Sequence, residues 1–364
     1  MNAILRDILN FFRKEKIYFY LLVTIVCFYL ALLFVHHHMD RGQEPADHNR
    51  ERIESLMKAA PENPEMIEKR MAESPRLRWM MQVFGLFFVS SVLCGMWFGS
   101  SDLRRLFSKQ EFIPSSGRKL SVGWGVSDVI KIMILFFATG LLLNLALAFV
   151  KFIFFSKLDP SHFILAHALL LDVAVVFFIA GMVRKKGSTL WDILGFGFKK
   201  IPFREIWWGL RTYFVILPLF LGILTLLIFL ASRFAYEPPP HPLVEVLLHE
   251  ETLSLWTLIF SLAVACVVGP VAEEIFFRGF FYPVLRKYFG VGWTVLITAA
   301  LFAGVHDNIF SFVPILFLGM VLCYLYEKRR NLLACVTLHV VHNTAFITYF
   351  FLMKAVLLDT NGGM

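Results

Sequence analysis

Three short polar patterns interrupt long apolar runs in the last third of this chain: Glu273-Glu274 followed by Arg278, Phe302 followed by His306, and His339 followed by Asn343. Ionisable side chains are costly in hydrocarbon, so within such runs they pair, turn inward and tend to serve function. Glu274 and Arg278, four residues apart, share a helix face and suit an ion pair. Glu273 is turned about 100° away by the helical period and needs another partner. It follows Pro270 by less than a turn, where the dipole of a restarting helix favours a carboxylate.

One acid and two imidazoles from three successive spans are the ingredients for activating water. A carboxylate base with imidazole help would do it. So would a divalent metal ion such as zinc held by Glu273, His306 and His339, and the residue types leave both open. Arg278, Asn343 or a second imidazole can steady a developing oxyanion. No serine or cysteine is placed beside these groups as a nucleophile, which favours water as the attacking species. The plainer alternatives are a helix-start ion pair for Glu274 and Arg278, and a hydrogen-bonded helix contact for His339. His342 competes with His339 as the reactive imidazole. Asp172, in the middle of an earlier apolar run, could support the site from behind but is expected rather to be a structural partner inside the bundle. His36 to His38 are read as an interfacial cluster.

The elements that must position these groups are membrane helices. Hydrophobic residues make up 58% of the 364 and charged residues only 17%, against roughly half and a quarter in soluble chains. Mean hydropathy is +0.68. The expected fold is all-α, a polytopic transmembrane bundle of about nine spans (eight possible), near 17–35, 79–98, 129–155, 163–183, 206–231, 253–283, 291–310, 313–326 and 332–352. Gly269-Pro270 should kink the sixth. The apolar run after Lys16 is span-length and lacks a small-residue cleavage site, so it reads as an uncleaved first span rather than a signal peptide. Residues 1–128 read as an accessory region with two spans and a polar outer loop at 36–78, and 129–364 as the helical core. The five cysteines all lie in apolar stretches and imply no disulfide framework.

The net charge of +8 finds its explanation at the membrane and implies no nucleic-acid partner. Lys and Arg gather in alternate segments: Arg6 to Lys16, Arg104 to Lys119, Arg184 to Arg204, Arg286-Lys287 and Lys328 to Arg330. Such asymmetry places those segments inside. The expected setting is a bacterial cytoplasmic membrane, with the N-terminus cytoplasmic and the C-terminus outside.

Taken together, the patterns Glu-Glu-x-x-x-Arg, Phe-x-x-x-His and His-x-x-x-Asn resemble those of the CPBP family, the CAAX proteases and bacteriocin-processing enzymes also called Abi. The motif-bearing part covers about 253–350. The resemblance implies an intramembrane endopeptidase of the type II CAAX prenyl endopeptidase kind, acting on membrane-associated or lipidated peptides. It implies that Glu273 and His306 activate water, that His339 and Asn343 serve the oxyanion, and that Glu274 and Arg278 support them. A catalytically silent scaffold or self-immunity protein of the same fold is the alternative. A transporter is a third reading, but it would call for a matched pair of broken helices in two related halves, and the sequence shows one break.

Overall fold

The computed structural model describes residues 2–39, 64–118, 120–154, 160–195, 202–234, 236, 255–306 and 309–358. Of the expected outer loop at 36–78, residues 40–63 lie outside these residues, while 36–39 and most of 64–78 are helical. The proline-rich connector at 237–242 also lies outside them. Among them every regular element is helical, so the bundle expected from composition is present. The elements are α1 (Asn2–Lys14), α2 (Lys16–Met39), α3 (Pro64–Glu73), α4 (Pro75–Phe107), α5 (Val126–Phe154), α6 (Pro160–Lys185), α7 (Leu190–Leu194) and α8 (Phe203–Arg233). A composite stretch of α9 (Leu255–Ala263), α10 (Gly269–Glu274) and α11 (Tyr282–Leu285) follows, then α12 (Val291–Gly304), α13 (Ile309–Arg329) and α14 (Leu332–Leu358).

Against the expected count of about nine spans, eight possible, the described residues contain seven helices long and apolar enough to cross a membrane, or eight if the bent pair α1–α2 counts as one span. The apolar run at 291–310 does not make a crossing helix. Its helix, α12, ends at Gly304 after 14 residues, a rise of about 21 Å against a hydrocarbon thickness of about 30 Å. The rest of that run is divided between the turn at His306 and the start of α13 at Ile309.

The stretch from Leu255 to Leu285 departs from α geometry twice. Val264–Val268 and Ile275–Phe281 are π-helical. The cause is readable in the backbone. Gly269 N–H donates to Val264 O and Tyr282 N–H to Phe277 O, both five residues back, and the next residues are Pro270 and Pro283. Proline brings no N–H and its ring crowds the preceding turn, so the turn before each proline widens. Glu273 and Glu274 lie on the short α segment between the two widened turns. π segments inside α-helices are often found at functional sites.

The basic segments meet at one end of the bundle. Arg329 forks onto Glu205 with bonds of 2.8 and 2.6 Å and donates to Pro114 O. Lys328 pairs with Glu111 at 2.8 Å and Lys186 with Asp128 at 3.1 Å. Lys287 donates to Val122 O and Trp124 O, and Arg118 donates to Gly195 O. Gly195 closes α7 with φ +78°, a left-handed backbone that glycine tolerates. A side chain there would also strike Arg330 O. The ends of α4, α6, α11 and α13 and the starts of α5 and α8 therefore share one face, as the alternation of charge requires.

Candidate active site

Glu274 closes α10, and Arg278 lies one turn on in the second π segment. Both side chains are wholly buried. A buried charge needs compensation, and Arg278 Nη1 donates to Glu274 Oε1 at 2.8 Å. Its Nη2 reaches Gly319 O at 3.3 Å, and the guanidinium carbon sits 4.4 Å from the centre of the Phe302 ring. Gly319 makes this approach possible: a Cβ there would lie 3.1 Å from Ala299 Cα and 3.2 Å from Phe302, so α12 and α13 pack nearly backbone to backbone.

His339 on α14 completes the set. Its Nδ1 lies 2.8 Å from the same Glu274 oxygen. A carboxylate only accepts, so Nδ1 carries the proton and Nε2 is the nitrogen turned outward. Nε2 lies 3.7 Å from Glu273 Oε2. That is beyond a direct hydrogen bond and close enough for one water to bridge both from the side. His339 is 3% exposed and Glu273 33%. The series Arg278, Glu274, His339, Glu273 therefore runs from the closed interior to an accessible carboxylate.

The other residues singled out by the sequence sit around this series. His306 Nδ1–H donates to Phe302 O at 2.7 Å, leaving its Nε2 unengaged by that bond. The Phe302 ring touches both imidazoles, with centroids 4.9 Å from His306 and 5.7 Å from His339. Asn343 Nδ2 donates to Ala265 O at 3.0 Å. That carbonyl would serve Gly269 N–H in an α-helix and residue 270 in a π-helix, but Gly269 bonds one residue further back and Pro270 has no N–H. Asn343 thus satisfies a carbonyl that Pro270 frees, and its second amide hydrogen is left for other use. His342 lies against Phe220 and Tyr213 of α8, with centroids 4.9 and 6.1 Å away. His339, not His342, is the imidazole beside the acids.

Asp172 on α6 stands beside the centre. Its Oδ2 is 3.7 Å from where a Cβ on Gly269 would be, one turn before Glu273, and the two carboxylates act on each other electrostatically. An acid in mid-span was the visible signal; the missing information was which helix it would face. Among the described residues no three His, Cys, Asp or Glu side chains gather as a metal-ligand group. Glu273, His306 and His339, the set the sequence offers a metal, do not form such a group among the described residues.

Fold and site together define a polytopic helical membrane protein with a buried acid–imidazole centre open at one carboxylate. Residues 255–345 match the family model of type II CAAX prenyl endopeptidase Rce1-like proteins, and the three polar patterns lie within that segment. No curated protein and no solved structure matches the chain.

Proposed function

We propose that the protein is an intramembrane endopeptidase that hydrolyses peptide bonds of membrane-associated or lipidated substrates with water activated at Glu273. The observation that carries this reading is the buried series Arg278–Glu274–His339 ending 3.7 Å from the accessible Glu273 carboxylate. Arg278 holds Glu274, Glu274 fixes the His339 tautomer, and Nε2 is aimed where a water would sit. Glu273 removes a proton from that water as the oxygen bonds to the scissile carbonyl carbon. The negative charge on the carbonyl oxygen is met by the free Asn343 amide hydrogen, while the unprotonated Nε2 of His339 or His306 accepts the other hydrogen of the attacking water. The proton on Glu273 then passes to the amine nitrogen as the C–N bond breaks. The water oxygen remains in the new carboxyl group, and Glu273 returns to a carboxylate.

The test is cleavage of a membrane-associated peptide by purified protein in lipid vesicles, followed by mass spectrometry. Wild-type protein should release two fragments, with oxygen-18 from labelled water in the new carboxyl group. Treatment with a chelator should leave that activity intact. Complete loss on chelation, restored by adding zinc, would replace the carboxylate mechanism with a metal one. Absence of cleavage across a panel of membrane-anchored peptides would leave the binding or scaffold function in its place.

A further inference from the structure

The N-terminal helix α1 lies outside the matched segment, and nothing in the proposed chemistry uses it. It bends 97° from α2 across the break at Glu15. Since α2 runs with the bundle, α1 lies along the membrane surface. Its inner face packs on the core through Ile4, Ile8 and Phe11.

Charge is sorted around this helix. Both acids of the segment are engaged by the protein: Tyr288 donates its hydroxyl to Asp7 Oδ2 at 2.7 Å, and Lys131 pairs with Glu15 at 2.7 Å. Arg6, Arg13 and Lys14 are exposed, and among the described residues none has an acidic partner. Stepping round the helix at about 100° per residue, Leu5 and Leu9 separate the inner face from the basic one, and each is 54% exposed. One sector meets protein, one is apolar and open, and one is basic and open. An in-plane helix with that division suits the boundary between acyl chains and headgroups.

We propose that α1 is a binding surface for anionic phospholipid headgroups and that, through the Asp7–Tyr288 bond, it fixes the surface end of the helix stretch that carries Glu273. Arg6, Arg13 and Lys14 meet the phosphates while Leu5 and Leu9 enter the acyl boundary. A soluble acidic protein would use the basic face but would leave both leucines in water, so lipid is the occupant the geometry favours. Tyr288 follows the end of α11 by three residues, so a seated α1 steadies the segment 282–290.

The experiment is hydrogen exchange on the full-length protein in vesicles of phosphatidylcholine alone and in vesicles of equal parts phosphatidylcholine and phosphatidylglycerol. Amides of α1 should be protected at least about tenfold more in the anionic vesicles, since each surface basic residue contributes to such binding. Added salt should weaken the effect. The variant Arg6→Gln/Arg13→Gln/Lys14→Gln, which leaves the inner face intact, should lose the difference. Tyr288→Phe should keep the lipid response of α1 and lose the accompanying protection of 282–290. Equal protection in both vesicle types, or an undiminished response in the triple variant, overturns the lipid assignment. Retention of the 282–290 response in Tyr288→Phe overturns the coupling.

Discussion

Two buried acid–base clusters in this molecule are built from similar side chains and finished differently. At the basic end, Arg329 forks onto both oxygens of Glu205 and spends its remaining nitrogen on Pro114 O. In the interior, one oxygen of Glu274 takes both Arg278 and His339, and the other oxygen has no hydrogen-bond partner among the described residues, nor does Arg278 Nε. Beside it stands Glu273, a third of its surface open. The first cluster is closed and joins helices. The second ends in an accessible carboxylate, 3.7 Å from His339 Nε2. Closure marks an ion pair that serves the fold, and an open end marks one that can act on something else.

The comparison can be broken by exchange of roles. The largest effect expected is on chemistry alone: Glu273→Gln should lower peptide cleavage by about 10² to 10⁴, the usual cost of losing a general base. Its unfolding midpoint in detergent should stay at the wild-type value, and a cleavage rate within a factor of two or so of wild type would remove Glu273 from the mechanism. The closed cluster should behave in the opposite way. Arg329→Ala leaves Glu205 buried and uncompensated, a loss of about 3–5 kcal/mol, seen as less folded protein by size-exclusion chromatography with unchanged cleavage per folded molecule. Arg278→Ala should combine both signatures, because it leaves the buried Glu274 held by His339 alone and without the guanidinium that fixes its position. The smallest effect belongs to Asn343→Ala. Ala265 O would lose its partner, a penalty of about 1–3 kcal/mol, readable as faster amide exchange across 264–270. An unchanged exchange rate there would mean that the widened turn holds itself without Asn343.

Much of the site was legible because its parts are polar residues in apolar surroundings. The i,i+4 spacing of Glu274 and Arg278 needed only the helical period, and their bond is present. What pattern could not show was how far each group stands from another chain segment. Where Asp172 would stand could not be read, because nothing in sequence says that α6 passes beside Gly269. His342 and His339 differ by three residues, and only the position of α8 separates the one in an aromatic slot from the one beside the acids. The extent of α12 was hidden for a related reason: hydropathy measures composition over a window, while α12 ends at Gly304, just before His306. Of the two prolines that shape the reactive stretch, Pro270 stands out beside glycine in the sequence. Pro283 lies near the polar boundary, and the widened turn before it went unread.

Those prolines carry a consequence for phase. A widened turn holds one residue more than an α turn can use, so the chain ahead of it faces about 100° away from where uninterrupted helix would put it. The facing of Leu255–Ala263 is thus set by the number of residues between Val264 and Pro270 as much as by their identity. Substitutions within Val264–Val268 change one contact each. Deleting a single residue there would turn the whole preceding segment through about a quarter of a circle, carrying the buried Ser261 out of its place and leaving every side chain chemically intact.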